Sequence, residues 1–586
     1  MDAGYHLPMP EFTGDAAEAR RWLAVFAVCV AALFLLVNRP AYKSFFSDDD
    51  FDNLANARDA DLKGFALTLV NPNTGGDGQF RATAYFYYYA LVRWAGLRYV
   101  PYVAGIHALH FLNVLLLWWL ARAMGAEIVG ACGAALLYAF HAAAFDIYWK
   151  PMYVFDLMCA TMTLASLLAY VRGWTVLSVV LFWLSLKSKE VTILFPLVVL
   201  VWEVVNEESG VTSRESRERK PAWRRLWPFF AISAMVGGIA MGRNSGRDDA
   251  YTLRLTGVAV WQCVRYYSSQ VAMIPYAGLA LAAVWFARKH ARVVWGVLAF
   301  VLLLGPLLVL PGRLFAAYLY TPMLGLAVAF SVVTRVRWLA LFFLLWLPWN
   351  YWNFRTARRE AQTIAEHRRA WFTPVAAFVR GHPEIDTFVY DGTPDAMPHH
   401  AVAGALRLLH PGPGIRVVPL ERGWDALSAE HLAEFVWDPA RLSLYLLPRV
   451  PDVSYIHLDE HAPVWQLTSG WMGNQGHLRW MRPRASVRLL RPEGAKEFEI
   501  QVDVVLRGVA ERHMEVTLDG APLGTIRFTK ETPAAFRLPV PAGRAGIVNV
   551  ELLASPAMPD PGGGGELGQP ILALGFPVAR FPARVK

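Results

Sequence analysis

The sequence predicts an α-helical polytopic membrane protein of about eleven transmembrane helices, followed by a soluble C-terminal α/β segment and a β-sandwich. Three observations carry this expectation. First, 55% of the 586 residues are hydrophobic and 18% are charged, where soluble chains average about 25% charged residues. Second, the apolar residues gather into long runs between Trp22 and Trp349. Third, from Asn350 onward the composition is that of a soluble protein, with short alternating runs punctuated by Gly, Pro and Asp. A chain this long exceeds one hydrophobic core. The expected division is a membrane domain over 1–352 with a long first outer loop at 38–100, a small α/β segment over 353–463, and the sandwich over 464–586.

A spanning helix takes about 20 mostly apolar residues. The candidate runs are Trp22–Val37, Tyr102–Trp119, Ile128–Ala144, Met152–Val171, Trp174–Leu186, Val191–Val205, Trp227–Met241, Val271–Ala287, Val293–Leu310, Phe315–Val333 and Leu339–Trp349. Arg20 and Arg21 precede the first run and no small-x-small cleavage site follows it, so this segment reads as an uncleaved signal-anchor. Arg122, Arg172, the basic stretch Arg214 to Arg225, Arg288-Lys289, Arg335 and Arg337 fall on one side, which the positive-inside rule makes cytoplasmic. The N-terminus is then inside, and an odd number of spans puts the soluble part outside.

The outer loops still hold many cations: Lys43, Arg81, Arg93, Arg98, Lys150, Lys187, Lys189, Arg243, Arg247, Arg254 and Arg313. Ordinary solvated charge accounts for most of them, and phosphate binding is the alternative task for such side chains. Within the first outer loop, Phe51–Leu69 and Tyr85–Leu97 suit helices lying in the membrane interface, joined by the turn-rich stretch Asn71 to Gly78. The net charge of +9 comes with no nucleic-acid-binding pattern, so no nucleic acid partner is expected and membrane lipid is. Cys29, Cys132, Cys159 and Cys263 all lie in or beside apolar runs, which leaves the soluble part without a disulfide or a CxxC metal motif.

The residues able to do chemistry follow in chain order. Ser47-Asp48-Asp49-Asp50-Phe51-Asp52 lies directly after the first run. One acid there caps the next helix and suits its dipole. Three in a row exceed that need, and neighbouring like charges raise one another's pKa, as a general base requires. His107 and His110 suit interhelical hydrogen bonds better than metal ligation. In the second outer loop, Asp146, Trp149 and Lys150 precede Asp156, an ionisable residue at membrane depth; a helix cap or an ion pair with Lys150 is the structural alternative. Lys187, Lys189 and Glu190 form a charged turn, and Arg313 precedes Tyr318 and Tyr320.

In this order the motifs resemble the GT-C superfamily of polyprenyl-phosphate-sugar-dependent glycosyltransferases, closest to the protein O-mannosyltransferase-like branch without its tetratricopeptide repeats. The matches are Asp49-Asp50 before Phe51, His110 and Asn113 on one helix, Asp146 and Trp149, Ser188-Lys189-Glu190, and the partial segment Tyr318, Tyr320, Pro322. Ala317 stands where the family often has Arg, with Arg313 a helical turn earlier as its substitute, and Asp146 stands where relatives often have Glu.

The resemblance covers the membrane part and implies an inverting sugar transfer. The donor is a polyprenyl-phosphate-linked sugar. The acceptor is a hydroxyl of a protein, lipid or cell-envelope glycan, on the outer face of a bacterial-type inner (plasma) membrane. Asp49 is then the base, with Asp50 or Asp48 as its alternates. Lys189, Arg313 and Lys187 hold the phosphate. Asp146, Trp149, Glu190, Tyr318, Tyr320 and His110 orient the acceptor or the site. No cofactor is firmly implied, and a divalent cation, which Asp146 could orient, stays open. A transporter or flippase for a lipid-linked or envelope component is the competing reading, and a non-catalytic scaffold with a glycan-binding sandwich is another. No inverted repeat supports the transporter.

In the soluble part, Arg355–Arg369 reads as a charged helix, and Thr387–Tyr390, Ile415–Val418 and Leu442–Tyr445 as strands around a helix at Pro398–Leu409. His457, Asp459 and His461 alternate on one face, as a polar edge or, less simply, metal ligands. Ser486–Leu490, Glu497–Val505, His513–Leu518 and Ile547–Leu553 read as sandwich strands. Trp471 and Trp480 belong either to its core or to a sugar-stacking surface, and Pro559–Gly564 is a turn.

Overall fold

The computed structural model describes residues 16–72, 81–208, 222–244, 248–287, 290–412, 414–422, 426, 429, 431–448, 452–561 and 565–577. The Asn71–Gly78 turn in large part, the 214–225 basic stretch in large part, Arg288-Lys289, Arg247 and part of the Pro559–Gly564 turn lie outside the described residues. Two units emerge: Met1–Ser47 with Asn56–Thr363, and Asp48–Ala55 with Ile364–Lys586.

The helices in chain order are α1 (Ala16–Asn38), α2 (Asp48–Asp59), α3 (Leu62–Val70), α4 (Ala82–Ala95), α5 (Tyr99–Ala123), α6 (Ile128–Phe140), α7 (Val154–Val171), α8 (Thr175–Leu186), α9 (Phe195–Glu208), α10 (Ala222–Asn244), α11 (Gly257–Gln270), α12 (Ala291–Leu304), α13 (Met323–Phe330), α14 (Val336–Gly381) and α15 (His399–Leu409). Among the described residues, five helical stretches are long and apolar enough to cross a membrane: Leu23–Lys43, Tyr99–Ala123, Pro151–Val171, Trp223–Gly242 and Ala291–Val309. A sixth forms if Ile128–Phe140 and Ala142–Tyr148 count as one bent span. The stretch containing α7 is 78% buried and the one containing α1 11%, so α7 is a central helix of its unit and α1 presents its aliphatic side chains outward.

Of the other expected runs, Leu339–Trp349 lies within the long helix α14; the rest are helical but short or broken, and the breaks have causes. After α6 the chain bends by 64°. The amides freed there find side chains: Ala142 N donates to Asn350 Oδ1 at 2.8 Å and Ala143 N to His141 Nδ1 at 3.2 Å, which meets the rule that unpaired backbone groups need partners. The run expected from Val271 becomes regular only at Ala277–Ala287, as a 3-10 helix. Pro275 lacks an N–H, and Met273 and Tyr276 on either side take φ of 56° and 60°. Where α12 and α13 meet, a Cβ on Gly325 would lie 2.3 Å from the carbonyl oxygen of Gly296; small residues allow this close approach.

The second unit contains the rest of α14, α15 and the strands. β1 (Thr387–Asp391), β2 (Arg416–Pro419), β3 (Leu432–Asp438) and β4 (Ser443–Pro448) form a sheet ordered β2-β1-β3-β4. β2-β1-β3 is parallel and β4 antiparallel, with α15 in the β1–β2 connection, as alternating runs predict. The later strands are β5 (Tyr455–His457), β6 (Ser469–Asn474), β7 (Arg479–Arg491), β8 (Glu497–Asp503), β9 (Arg512–Leu518), β10 (Ala521–Phe528), β11 (Pro533–Pro539), β12 (Gly546–Ser555), β13 (Met558–Pro559), β14 (Glu566–Leu567) and β15 (Pro570–Gly575).

Hydrogen bonds link nine of these strands in one sheet: seven along the path β10-β9-β12-β7-β15-β8-β11, with β5 on β15 and β6 on β7 off that path. The expected separation into two sheets is bridged because β15 pairs with β7 at Pro570–Ile571 and then, past a register shift, with β8. Alternate residues such as Val487, Leu489, Phe498, Ile500, Val550 and Leu552 fill the core. Trp471 is part of it and donates to Ser486 O at 2.7 Å, while Trp480 is half-buried beneath the Arg507 guanidinium at 5.8 Å. Buried Arg479 pairs with Asp391 and lies 3.8 Å from Glu434, tying β7 to β1 and β3.

Candidate functional site

In the membrane unit, the turn between α8 and α9 carries the first group of expected residues. Buried hydroxyls set its shape. Ser185 Oγ lies 2.8 Å from Thr163 Oγ1 and 3.0 Å from Thr192 Oγ1, and Lys189 N donates to Ser185 O at 2.9 Å. So anchored, Lys189 turns inward. Its Nζ donates to both oxygens of Asp156, at 2.7 and 2.8 Å, with both side chains under one-tenth exposed. The ammonium also sits 4.1 Å from the centre of the Tyr318 ring, a cation–π distance.

Tyr318 joins Lys189 to Arg313. Arg313 Nη2 donates to Tyr318 Oη at 3.1 Å, and its guanidinium lies 4.5 Å from the Tyr251 ring and 4.8 Å from that of Phe315. Glu190 turns to Arg81, with Nη2–Oε2 at 3.1 Å and Nε–Oε1 at 3.4 Å. Lys187 donates to Asn71 O at 2.9 Å, and its own carbonyl accepts from Thr83 N at 3.3 Å. The cluster therefore collects Arg81, Lys187, Lys189 and Arg313 against Asp156 and Glu190, a surplus of positive charge lined by phenol rings. Planar guanidinium forks and an ammonium are the groups that take up phosphate.

Other expected residues stand apart from this cluster. Asp146 pairs with Lys150 at 2.8 Å, so Asp156 has Lys189 as partner and not the Lys150 that the sequence alternative named. Trp149 is wholly buried and donates to Asn38 Oδ1 at 2.9 Å. His110 Nε2 donates to Ala139 O at 3.1 Å, which leaves Nδ1 to accept from Tyr320 Oη at 2.8 Å. Asn113 Nδ2 donates to Tyr320 Oη and to Leu157 O, each at 3.1 Å. This is the interhelical hydrogen bonding expected of these polar residues. Tyr318 and Tyr320, two residues apart, thus serve different surroundings.

The acidic run belongs to the second unit. Asp48, Asp49 and Asp50 occupy the first turn of α2, where the helix dipole favours them. Each oxygen-bearing side chain is held individually. Asp48 pairs with Arg368 of α14, Asp49 Oδ1 lies 2.9 Å from His400 Nε2, and Asp52 is 3.7 Å from Arg407 of α15. Asp50 is fully buried and Asp49 half exposed. Phe51 stacks on Phe372 at 5.2 Å. A Cβ on Gly404 would lie 2.6 Å from Asp52 N, so the absence of a side chain there lets α15 approach α2. The hydrogen bond to Asp49 raises the His400 pKa above its ordinary value, against the opposing effect of burial.

Sequence reasoning left Tyr251 and His400 out of its site. Tyr251 follows two aspartates in a polar connection, and His400 lies 351 residues from its partner; neither carries a local motif. Arg81 was one of many outer-loop cations without a ranking. Among the described residues no group of three or more His, Cys, Asp or Glu side chains is arranged to hold a metal; His461 instead packs on Tyr445 at 4.5 Å.

No family model and no curated protein matches the sequence. Solved structures that resemble it include the arabinofuranosyltransferase AftD from Mycobacteria, at 13% identity and a TM-score of 0.43 over 95% of this chain and 58% of that one. ArnT from Cupriavidus metallidurans, bound to undecaprenyl phosphate, matches at 12% identity and a TM-score of 0.43 over 74% of this chain and 98% of that one. The chain thus spans little more than half the length of AftD. Likeness this distant assigns no activity to it.

Proposed function

We propose that this protein is a GT-C-type membrane glycosyltransferase. It transfers a sugar from a polyprenyl-phosphate donor to an acceptor hydroxyl at the outer face of the membrane, with inversion. The observation that carries the reading is the cation cluster. Lys189 and Arg313 converge on Tyr318, and Arg81 stands with Glu190 in the same unit. A polyprenyl phosphate is already a good leaving group, so fixed cations on the phosphate replace a general acid. Lys189 and Arg313 hold that phosphate, with Arg81 and Lys187 adding positive charge. The buried Asp156 fixes the Lys189 ammonium in place beforehand, which lowers the reorganisation the reaction demands.

Asp49 is the base. It takes the acceptor's proton as the oxygen attacks the anomeric carbon. The support is its match to the family's acidic pair and its half-exposed carboxylate; the fully buried Asp50 and the Arg-paired Asp48 are the alternates. The outer-face placement rests on the positive-inside rule.

The test is a panel of undecaprenyl-phosphate-linked mannose, glucose, galactose and arabinose offered to the purified protein in nanodiscs. Release of undecaprenyl phosphate is measured for wild type, Asp49→Asn, Asp50→Asn and Arg313→Ala. Turnover of one donor, abolished by Asp49→Asn and cut at least a hundredfold by Arg313→Ala (about 2.7 kcal/mol of transition-state stabilisation), supports the reading. Wild-type turnover in both aspartate variants removes the assignment of the base. No turnover of any donor, together with ion-driven uptake into vesicles, replaces the enzyme by a transporter.

A further inference from the structure

We propose that the cleft between α1, α6 and α14 binds an anionic phospholipid, with an acyl chain in the cleft and the headgroup phosphate on the arginines at its mouth. The cleft lies within the membrane unit and uses none of the residues assigned to sugar transfer. It measures about 640 Å³, within the range of ligand pockets, roughly 300–1,000 Å³. Its walls are apolar, from Leu23 and Phe26 of α1 to Cys132 of α6 and Ala340 of α14.

The opening follows from the sequence. Gly130-Ala131-Cys132-Gly133-Ala134-Ala135 gives α6 a run of small side chains. On one flank they let α14 come close: a Cβ on Gly133 would lie 2.8 Å from Leu339 Cδ2, and Leu137, Leu339 and Phe343 form a buried cluster there. On the other flank α1, whose apolar stretch is only 11% buried, leaves space over Cys132 and Ala340. Such walls offer water no hydrogen bonds, and an empty groove forfeits dispersion contacts along its lining. A hydrocarbon chain meets both demands.

Length and charge select the lipid. The lining runs from Ile128 to Leu136 on α6 and from Val336 to Phe343 on α14. At 1.5 Å per residue this is about 12 Å, close to the roughly 15 Å of hydrocarbon in one leaflet. An acyl chain fits that length and a polyprenyl chain overruns it. The three helices run parallel: Gly133 lies beside Leu339, Ala142 bonds to Asn350, and Phe34 meets Phe140 at 6.0 Å. Their starts therefore share one end, which carries the exposed Arg21, Arg335 and Arg337. The Arg337 guanidinium lies 5.5 Å from the exposed Trp338 ring, and Trp marks headgroup depth. Glu127 stands at this end too and attracts Arg292. The positive-inside rule makes it the cytoplasmic leaflet, whose anionic lipids attract such arginines.

The experiment is native mass spectrometry of the full-length protein released from detergent, with phosphatidylglycerol and phosphatidylcholine of identical chains added in equal amounts. Wild type is compared with Ala340→Trp, which fills the cleft, with the pair Arg335→Gln and Arg337→Gln, which keeps the cleft and removes charge, and with Val176→Trp, which puts the same ring at an 80% exposed site of α8. Wild type and Val176→Trp should hold one phosphatidylglycerol about thirtyfold more tightly than phosphatidylcholine, the worth of two surface cations. Ala340→Trp should hold neither above the detergent background, and the arginine pair should lose most of the preference. Equal retention of the two lipids by wild type overturns the proposal, as does a wild-type adduct on Ala340→Trp. Displacement of phosphatidylglycerol by an equal concentration of undecaprenyl phosphate overturns it in favour of the carrier lipid. A lipid-free dimer overturns it in favour of a second copy. If Ala340→Trp fails to fold, the arginine pair decides, and an unchanged preference for phosphatidylglycerol in that variant overturns the proposal.

Discussion

Two carboxylates of this protein meet a basic partner in contrasting settings. Asp156 meets Lys189 with both side chains buried and both carboxylate oxygens engaged. Asp49 Oδ1 meets His400 Nε2 with half of each side chain exposed. Buried charge is costly to separate, so the first pair acts as a fixed part beside the Tyr318 ring. Exposed charge is screened and cheap to rearrange, so the second pair adds little to stability.

The largest effect expected from breaking this contrast is on stability. Lys189→Met leaves Asp156 buried without its cation and should cost about 3–5 kcal/mol, read as a lowered thermal midpoint in detergent. Lys189→Met with Asp156→Leu should recover most of that loss and still fail to turn over donor, since folding no longer needs the charges and the phosphate does. Equal stability of the single and double variants would contradict the fixed-part view.

Glu434 sharpens the comparison inside the second unit. Burial pushes its carboxyl up to about 8, with Arg479 pulling the other way. An acid with a raised folded-state pKa favours the folded state most at low pH, and that contribution is lost as pH rises from the ordinary glutamate range through about 8. Glu434→Gln should therefore flatten the decline in stability between pH 5 and pH 8, measured by denaturant titration at several pH values.

Smaller effects follow. Tyr318→Phe removes the hydroxyl that accepts from Arg313 and should slow transfer roughly tenfold, about 1.5 kcal/mol, with the Lys189 contact to the ring kept. His400→Gln should change stability by less than about 1 kcal/mol, because half-exposed pairs are worth little. Since Asp49 raises the His400 pKa, that small contribution is present below about pH 6.5 and lost as pH climbs through the raised value. A large loss of stability in His400→Gln would erase the distinction between the two pairs.

Much of the scaffold was legible from the chain. The helices at Tyr99–Ala123 and Pro151–Val171 are long apolar runs, and period-two alternation marked β7, β8, β9 and β12. What escaped has physical causes. Pro275 and the residues beside it interrupt a run whose hydropathy alone looked continuous. β3 is buried along its whole length and so lacks the polar alternation by which strands are recognised. The acidic triplet announced itself by composition, but its surroundings did not: Arg368 beside Asp48, burial of Asp50, and His400 beside Asp49. Trp149 and Tyr320 matched a motif by type, and packing gave them to hydrogen bonds with Asn38 and His110.

By itself the sequence determined the apolar helices of a membrane protein, the β-rich C-terminal part, and the residue types able to bind phosphate or take a proton. These depend on local composition and period, which nearest neighbours in the chain report. Tertiary structure alone decided which acid meets which base: Asp156 with Lys189 and not Lys150, Glu190 with Arg81, Asp49 with His400. Charge pairing depends on distance in space and on the water removed around each pair, and both arise only when segments up to 351 residues apart are brought together.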